Sequence, residues 1–396
     1  MTGEAADGVD AVPTGPVPLA TIAGQWLRLG CIGFGGPPTH IALLRRMCVE
    51  ERQWIDAEEF EDGIATTNLL PGPASTQLAT YCAWRLRGVA GAILGGLCFI
   101  VPGLILILFL SAVFLASNPP DWIIGAAAGA GAAVPAVALN AAYGLVPASW
   151  RRIGSARAEH TRWLAYAVVG AVAAATVGPF LVLVLVVCGV IEIAIRRDGQ
   201  SLTQKAGGFL PAVASHAPVL GGLAALSWVA LKVGALSYGG GFVIIPLMQH
   251  DAVVTYHWMT GAQFLNAVAL GQVTPGPVVQ TVAVVGYAAG GVGGGLLAAL
   301  IAFAPSFVFV IAGAPHFDQI RANQSVESFL TGAGPAVIGA IAGSAVPLGL
   351  AFQHFWQIPV LLGALLWFFV LRRGVVSGLL IAGITGVVLA LAGIPV

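Results

Sequence analysis

TTNLLPGPASTQ at 66–77 and GQVTPGPVVQT at 271–281 place the same Pro-Gly-Pro in two halves of one chain. Pro71-Gly72-Pro73 and Pro275-Gly276-Pro277 lie 204 residues apart, and residues 27–73 align with 231–277 at that shift without a gap. Leu27, Gly30, Gly35 and Gly36 fall on Leu231, Gly234, Gly239 and Gly240, and Trp54 and Phe60 fall on Trp258 and Phe264. A later match, GAGAAV at 129–134 on GAGPAV at 332–337, needs a shift of 203. The chain reads as a duplicated architecture.

Composition says where this architecture lives. Of 396 residues 58% are hydrophobic and only 9% are charged, with a mean hydropathy of +0.91. Ordinary soluble domains carry about 25% charge. A soluble enzyme, a nucleic-acid-binding domain and a disordered chain are excluded, and an all-α polytopic membrane protein is expected. Net charge is zero, so no nucleic-acid partner is expected. Six apolar blocks near 17–36, 63–84, 88–116, 121–146, 162–178 and 179–195 recur near 217–241, 264–287, 290–314, 332–352, 358–371 and 374–394. The organisation expected is a polar tail at 1–16, repeats at 17–195 and 217–396, and a linker at 196–216. Glu4, Asp7 and Asp10 with no Lys or Arg make the tail unlike a signal peptide.

Basic residues set the sidedness, because cytoplasmic loops collect Lys and Arg. If every block crossed, Arg45, Arg46 and Arg52 would lie opposite Arg85 and Arg87. Two prolines around one glycine also stop a straight helix from passing through. The second block of each half is therefore expected to enter and return as a re-entrant hairpin. Each half then makes about five crossings, the second half is inverted, and all fifteen loop Lys and Arg share one face. In this scheme the N-terminus lies outside.

Arg28 and Lys232 are the two basic residues left inside crossing blocks, at equivalent positions. No Asp or Glu shares their blocks, so they are expected to be unpaired cations that attract an anion, the alternative being snorkelling to an interface. Gly35-Gly36 and Gly239-Gly240 follow and break the helices, either lining a cavity or allowing close packing. Each Pro-Gly-Pro is followed by a new helix whose free N–H groups and positive dipole end suit an anion. Thr66, Thr67, Asn68, Ser75, Thr76 and Gln77 in the first half add neutral donors, as do Gln272, Thr274, Gln280 and Thr281 in the second, the alternative being that they bond the backbone freed by the break. The binding set expected is thus Arg28, Gly35, Gly36, Asn68, Pro71, Gly72, Pro73, Ser75, Thr76 and Gln77 with Lys232, Gly239, Gly240, Gln272, Thr274, Pro275, Gly276, Pro277 and Gln280. Broken helices at a repeat interface are a transporter design.

ERQWIDAEEFEDG at 51–63 reads as a solvated amphipathic helix, with an acidic gate as the sharper alternative. His40 reads as a structural histidine. Cys31, Cys48, Cys82, Cys98 and Cys188 have neither CxxC nor metal-ligand spacing and read as small membrane-buried thiols. No HExxH or nucleotide-binding loop is present, so neither an enzyme nor an ATP-driven pump is expected, and no cofactor or metal.

FGGPPTHIALLRR (34–46), WIDAEEFEDGIATTNLLPGPASTQLA (54–79), WRLRGVAGAILGGLCFIVPG (84–103), SYGGG (237–241) and TPGP (274–277) resemble the chromate ion transporter family over roughly residues 20–395. The resemblance implies a two-half, long-chain member that moves chromate out of a bacterial cell across the plasma membrane, with sulfate as the close analogue. Where members often carry Gln-Leu-Leu-Pro-Gly-Pro-Glu, this chain has Asn68 and Ala74. Ala74 removes a carboxylate able to couple protons, so the resemblance supports an oxyanion more firmly than chromate itself. The partners implied are a chromate or sulfate oxyanion, the lipid bilayer and a second copy in a homodimer. An anion channel or a transporter of another small solute is the alternative.

Overall fold

The computed structural model describes residues 16–68, 70–116, 118–176, 181–198, 221–237, 242, 244–317, 319 and 322–396. Among them the chain is helical and contains no strand. The helices of the first half are α1 (Leu19–Ile32), α2 (Pro37–Arg45), α3 (Ala57–Thr67), α4 (Ala74–Phe114), α5 (Asp121–Trp150), α6 (Arg157–Thr176) and α7 (Leu181–Asp198). Those of the second are α8 (Gly222–Leu236), α9 (Ile244–Gln249), α10 (Gly261–Val273), α11 (Thr281–Gly313), α12 (Gln324–Leu350), α13 (Gln357–Leu365) and α14 (Val375–Leu391). The expected tail at 1–15 and most of the expected linker lie outside the described residues.

The repeat is present in the backbone as well as in the letters. α4 turns sharply at Arg87 and Gly88 (φ −148° and 55°), and α11 does so at Gly290 and Gly291 (φ −158° and 63°). Gln53 and His257 take the same left-handed φ, 49° and 52°. π-turns over Arg46–Glu51 and His250–Thr255 precede them, and Asp56 and Thr260 cap the next helices through their side chains. A side chain oxygen that accepts a helix-terminal N–H fixes where the helix starts. Both capped starts lie 204 residues apart.

Glycines show how the arms lie against one another. A Cβ on Gly63 would meet Tyr81 Cε1 at 2.6 Å, so α3 doubles back on the start of α4 around Gly72. A Cβ on Gly271 would meet Thr281 Oγ1 at 1.9 Å, which is the same fold-back around Gly276. Gly91 against Ala83 and Gly294 against Gly286 make the turns inside α4 and α11 antiparallel hairpins too. The long arms at 89–114 and 292–313 then pass each other in opposite directions, with Gly96 against Phe307 and Gly295 against Leu108. Backbones approach this closely only where the Cβ is missing.

One feature differs from expectation. In each half the chain turns back on itself after the first apolar block. α1 runs alongside the 89–114 arm, with Trp26 beside Gly95 and Gly30 beside Phe99, and Trp26 Nε1 donates to Ala79 O at 2.8 Å. After the break at 33–36 the chain comes back to the same end, where Cys48 and Cys82 are buried in one apolar cluster. In the second half Lys232 of α8 reaches Asp251, beyond α9, at 2.5 Å. Collinear helices would hold positions 19 residues apart at roughly 28 Å. The start of α1 therefore shares the end of the molecule that carries Arg45, Arg46, Arg52 and Arg85, hereafter the arginine end. Asp198 closes α7 near that end, because Arg196 reaches back to Glu159 and Glu192 to Arg162. Gly222 opens α8 at the opposite end, because Leu226 lies beside Gly294.

The remaining helices exchange partners between halves. α5 packs on α13 and α14, and α12 packs on α6 and α7. Gly125 against Gly386 and Gly129 against Ala382 seat α14, while Gly339 and Gly343 against Ala167 and Ala171 seat α6. α4, α5, α11 (with its preceding turn) and α12 are long and apolar enough to cross a membrane. Large apolar side chains point outward around the rim, Phe109 at 64%, Leu300 at 68% and Ile384 at 62% exposure. Such a surface is stable in lipid and not in water.

Candidate functional site

Each Pro-Gly-Pro tip is held by the other half of the chain. Gly72 N–H donates to Ser237 O at 2.8 Å, and Gly276 N–H donates to Gly33 O at 2.9 Å. Both glycines need a positive φ, 125° and 93°. Gly33 O also accepts from His40 Nε2 at 2.8 Å, and the His40 ring stands edge-on to Phe99. Gln280 crosses between halves as well, donating through Nε2 to Ile100 O at 2.8 Å. Gly103 has no side chain because Pro275 O occupies its Cβ position, 2.0 Å away.

Helix starts converge on the same place. α2 begins at Gly36 (φ 76°) with Pro37 and Pro38 in its first turn, and a Cβ on Gly36 would lie 3.7 Å from Val278 beyond the second tip. Gly35 precedes it with φ 99°. α4 begins after Pro73, whose carbonyl accepts from Thr76 and Gln77 N–H. Pro277 caps the turn Val278–Gln280 that leads into α11. Helix starts carry partial positive charge and free N–H groups, an environment that favours an anion.

The polar side chains sort into two groups. Thr66, Thr67, Thr274 and Thr281 bond their hydroxyls to carbonyls of their own helix or turn, at 2.8–2.9 Å. Gln77 Nε2 donates to Pro71 O at 2.7 Å. The expectation that all of these are free donors is corrected: broken backbone leaves carbonyls that the side chains satisfy. A second group has buried atoms with no protein partner: Thr76 Oγ1, Gln77 Oε1, Thr80 Oγ1, Ser237 Oγ, Gln272 Nε2, Gln280 Oε1, Ser306 Oγ and His40 Nδ1. Ser75 is buried beside them, and Asn68 is half-buried at the end of α3. Native proteins leave few such atoms unpaired, and each calls for a partner that the chain does not supply.

The cations do not form the matched pair expected. Lys232 is neutralised by Asp251 at 2.5 Å, with Trp228 beneath its ammonium at 5.8 Å. Asp251 lies beyond the block that holds Lys232, and only the fold-back brings it close. Arg28 is exposed on α1 and forms no ion pair among the described residues. Each lies five residues before its break, toward opposite ends of the molecule. Gly239 and Gly240 lie outside the described residues.

Ser306, Ser237 and Thr80 were not singled out by sequence, and His40 was read there as structural. Ser306 had a usable signal: Pro102-Gly103 and Pro305-Ser306 are equivalent at the 203-residue shift. A cavity of about 470 Å³ opens beside this site at the arginine end, lined by Asp56, Glu58, Glu59, Asp62, Thr66 and Arg85 among others. Arg85 pairs with Glu59, and Arg45 pairs with Glu61. The acidic stretch is therefore one arm of the Pro-Gly-Pro hairpin as well as a surface helix.

Comparison with known proteins follows this geometry. A family model described as "Chromate transporter" matches residues 20–193 and 224–393, one match to each half. The chain is 33% identical over 370 residues to a chromate transport protein of Cupriavidus metallidurans, covering 91% of this chain and 89% of that one. It is 30% identical over 387 residues to a chromate transport protein of Pseudomonas aeruginosa, with 88% and 90% covered. An uncharacterized transporter of Methanocaldococcus jannaschii is 28% identical over 367 residues, with 88% of each chain covered. No solved structure matches.

Proposed function

The chain belongs to the chromate transporter family, and from that premise we propose that it is a secondary-active exporter of chromate in the bacterial plasma membrane. Sulfate-like tetrahedral oxyanions are the analogues it is best built to admit. The observation that carries this reading is the reciprocal clasp, Gly72 to Ser237 and Gly276 to Gly33, around a cluster of buried polar atoms that lack partners. Two helix starts and several unpaired hydroxyls surround that point.

The substrate-binding set proposed is Gly72, Ser75, Thr76 and Gln77 with Gln272, Gly276 and Gln280, shaped by Gly35, Gly36, Pro71, Pro73, Pro275 and Pro277. Asn68 and Thr274 act at its margin. Arg28 contributes positive potential from the flank, and Lys232 serves to hold α8 and α9 together through Asp251.

The topology proposed is two inverted repeats. Each contains two re-entrant hairpins, α1–α2 and α3–α4 or their counterparts, followed by membrane-crossing helices. The antiparallel passage of the 89–114 and 292–313 arms supports it. So do the loop charges: Arg151, Arg152, Arg372 and Arg373 fall at the arginine end, which becomes cytoplasmic together with the start of α1. In this reading the first block of each half is re-entrant and the start of α1 lies on the cytoplasmic side, whereas the residue pattern alone suggests about five crossings per half and an external N-terminus. The two halves rock about the clasp to expose the site to one side and then the other.

Purified protein in liposomes tests this. Labelled chromate uptake is expected to saturate and to be accelerated by unlabelled chromate on the other side. Conductance that does not saturate, without counterflow, would mark a channel instead.

A further inference from the structure

We propose that the two clasps are equivalent in place but unequal in support. The second Pro-Gly-Pro tip is the fixed one, His40 is the residue that positions it, and the first tip is the one that yields during transport. This rests on the reading above that the halves rock about the clasp.

His40 acts through Gly33. Gly33 is the centre of an inverse γ-turn at the end of α1, with φ −76°, ψ 68° and Phe34 N–H donating to Ile32 O at 2.9 Å. Its own carbonyl accepts from two donors, Gly276 N–H at 2.9 Å and His40 Nε2 at 2.8 Å. A carbonyl has two lone pairs and only accepts, so Nε2 carries the ring proton here. Nδ1 is buried without a protein partner, which leaves Gly33 O as the partner of the imidazole. His40 is 1% exposed, and its ring stands edge-on to Phe99 of α4 with centroids 5.1 Å apart. A Cβ on Gly33 would lie 3.0 Å from His40 Cδ2, so glycine at 33 makes room for the ring. The second tip therefore closes on a carbonyl that the first half already holds against α4.

The same places in the other clasp are filled differently. At the 204-residue shift Gly33 becomes Ser237 and His40 becomes Ile244, a residue type with no side-chain donor. Gln280 Nε2 crosses to Ile100 O of the first half at 2.8 Å. Gln77, its equivalent at the 203-residue shift, turns instead to Pro71 O of its own tip at 2.7 Å. Pro275 O packs where a Cβ on Gly103 would stand. Ser306, the equivalent of Gly103, has a buried Oγ without a protein partner. Each difference ties the second tip to the first half and leaves the first tip more dependent on the Gly72–Ser237 bond. Local opening begins where fewer contacts must break.

Hydrogen exchange at the two tip glycines tests this. Proline has no N–H, so each glycine is the single exchangeable amide of its Pro-Gly-Pro. In the folded, detergent-purified protein Gly276 is expected to exchange about fivefold or more slower than Gly72, the worth of one net hydrogen bond. His40→Leu is expected to speed Gly276 by about fivefold and leave Gly72 unchanged. His40→Gln, whose Nε2 lies as many bonds from Cβ as that of histidine, is expected to keep the slow rate. In proteoliposomes His40→Leu is expected to lower the maximal rate of chromate uptake by about fivefold with KM little changed, and His40→Gln to retain it. Equal rates at the two glycines of the unaltered protein, or a faster Gly276, overturn the inference, and that comparison stands even if His40→Leu does not fold. So does a His40→Leu protein in which Gly276 is unchanged or both glycines speed up alike, as a merely structural histidine would give, or a His40→Gln protein that behaves as His40→Leu. Absence of saturable chromate uptake by the unaltered protein overturns the transport reading instead, while the exchange rates still decide whether the clasps are unequal.

Discussion

Gly72 of the first half donates its backbone N–H to Ser237 O of the second at 2.8 Å, and the inverse bond runs from Gly276 to Gly33. Each half thus ends its broken helix, α1 or α8, on the Pro-Gly-Pro tip of the other. A helix C-terminus leaves carbonyls without partners, and here the opposite tip supplies the donor. The arrangement has two equivalent bonds and a centre between them, which is the form a device needs if it is to open alternately to two sides.

The tips depend on glycine. A Cβ on Gly72 would lie 2.4 Å from Gln77 Nε2 and 3.2 Å from Ser306 Oγ, at φ 125°. Backbone strain of this kind costs about 1–3 kcal/mol, and the displaced Gln77 is one of the residues proposed for the site. Gly72→Ala is expected to abolish chromate uptake while the protein still folds in detergent. Gly24→Ala, whose added Cβ meets nothing within 4 Å, is expected to leave uptake unchanged.

Sidedness follows from the fold-backs. Single cysteines at Arg45 and His250, in a variant freed of its five native cysteines, are expected to react with an impermeant thiol reagent from opposite sides of the membrane. A tag placed before α1 is expected to react on the Arg45 side. A tag on the His250 side would restore the crossing first block.

Lys232 and Asp251 form an ion pair with side chains 20% and 9% exposed. Breaking one partner of a buried pair costs about 3–5 kcal/mol. Lys232→Met is expected to lower the unfolding temperature in detergent, and Lys232→Met with Asp251→Asn to recover most of the loss. Chromate affinity in the double variant is expected to change less than twofold to about threefold, since the pair neutralises itself.

Glu192 binds Arg162 through both carboxylate oxygens, at 3.0 and 3.2 Å, and also Arg196 at 2.9 Å and Tyr166 at 3.1 Å. It lies where α6 and α7 meet α12, and Gly332 makes room for it. Glu192→Gln removes the buried carboxylate that both arginines bond. A loss of about 3–5 kcal/mol is expected, seen in thermal unfolding, with the uptake KM unaltered in protein that remains folded.

The sequence carried the duplication, the broken tips and the charged face because each is a local property of letters. Two prolines around one glycine interrupt a helix, although single prolines stand inside α4, α5, α11 and α12, and arginine marks its own side. What was hidden depends on contacts between distant positions. Lys232 looked unpaired because Asp251 is outside its apolar block, and nothing local says that α9 folds back to it. Gln77 and Gln280 read as donors by type, but Pro71 O and Ile100 O take those donors. The hairpin of α1 and α2 was missed because Gly33 to Gly36 breaks a helix without stating the angle. Ser306 lay one step beyond the matched segment, past the single-residue change of shift from 204 to 203.

The central claim is that the oxyanion binds where the two tips meet, and the unpaired hydroxyls test it most directly. Thr76→Val with Ser306→Ala removes two of them without changing charge or adding bulk. Hydrogen bonds to a charged ligand are worth about 1.5–3 kcal/mol each. The KM for chromate uptake by proteoliposomes is therefore expected to rise by roughly a hundredfold or more, with protein yield and unfolding temperature close to those of the parent. Uptake with an unchanged KM in that variant would contradict the account and place the substrate elsewhere.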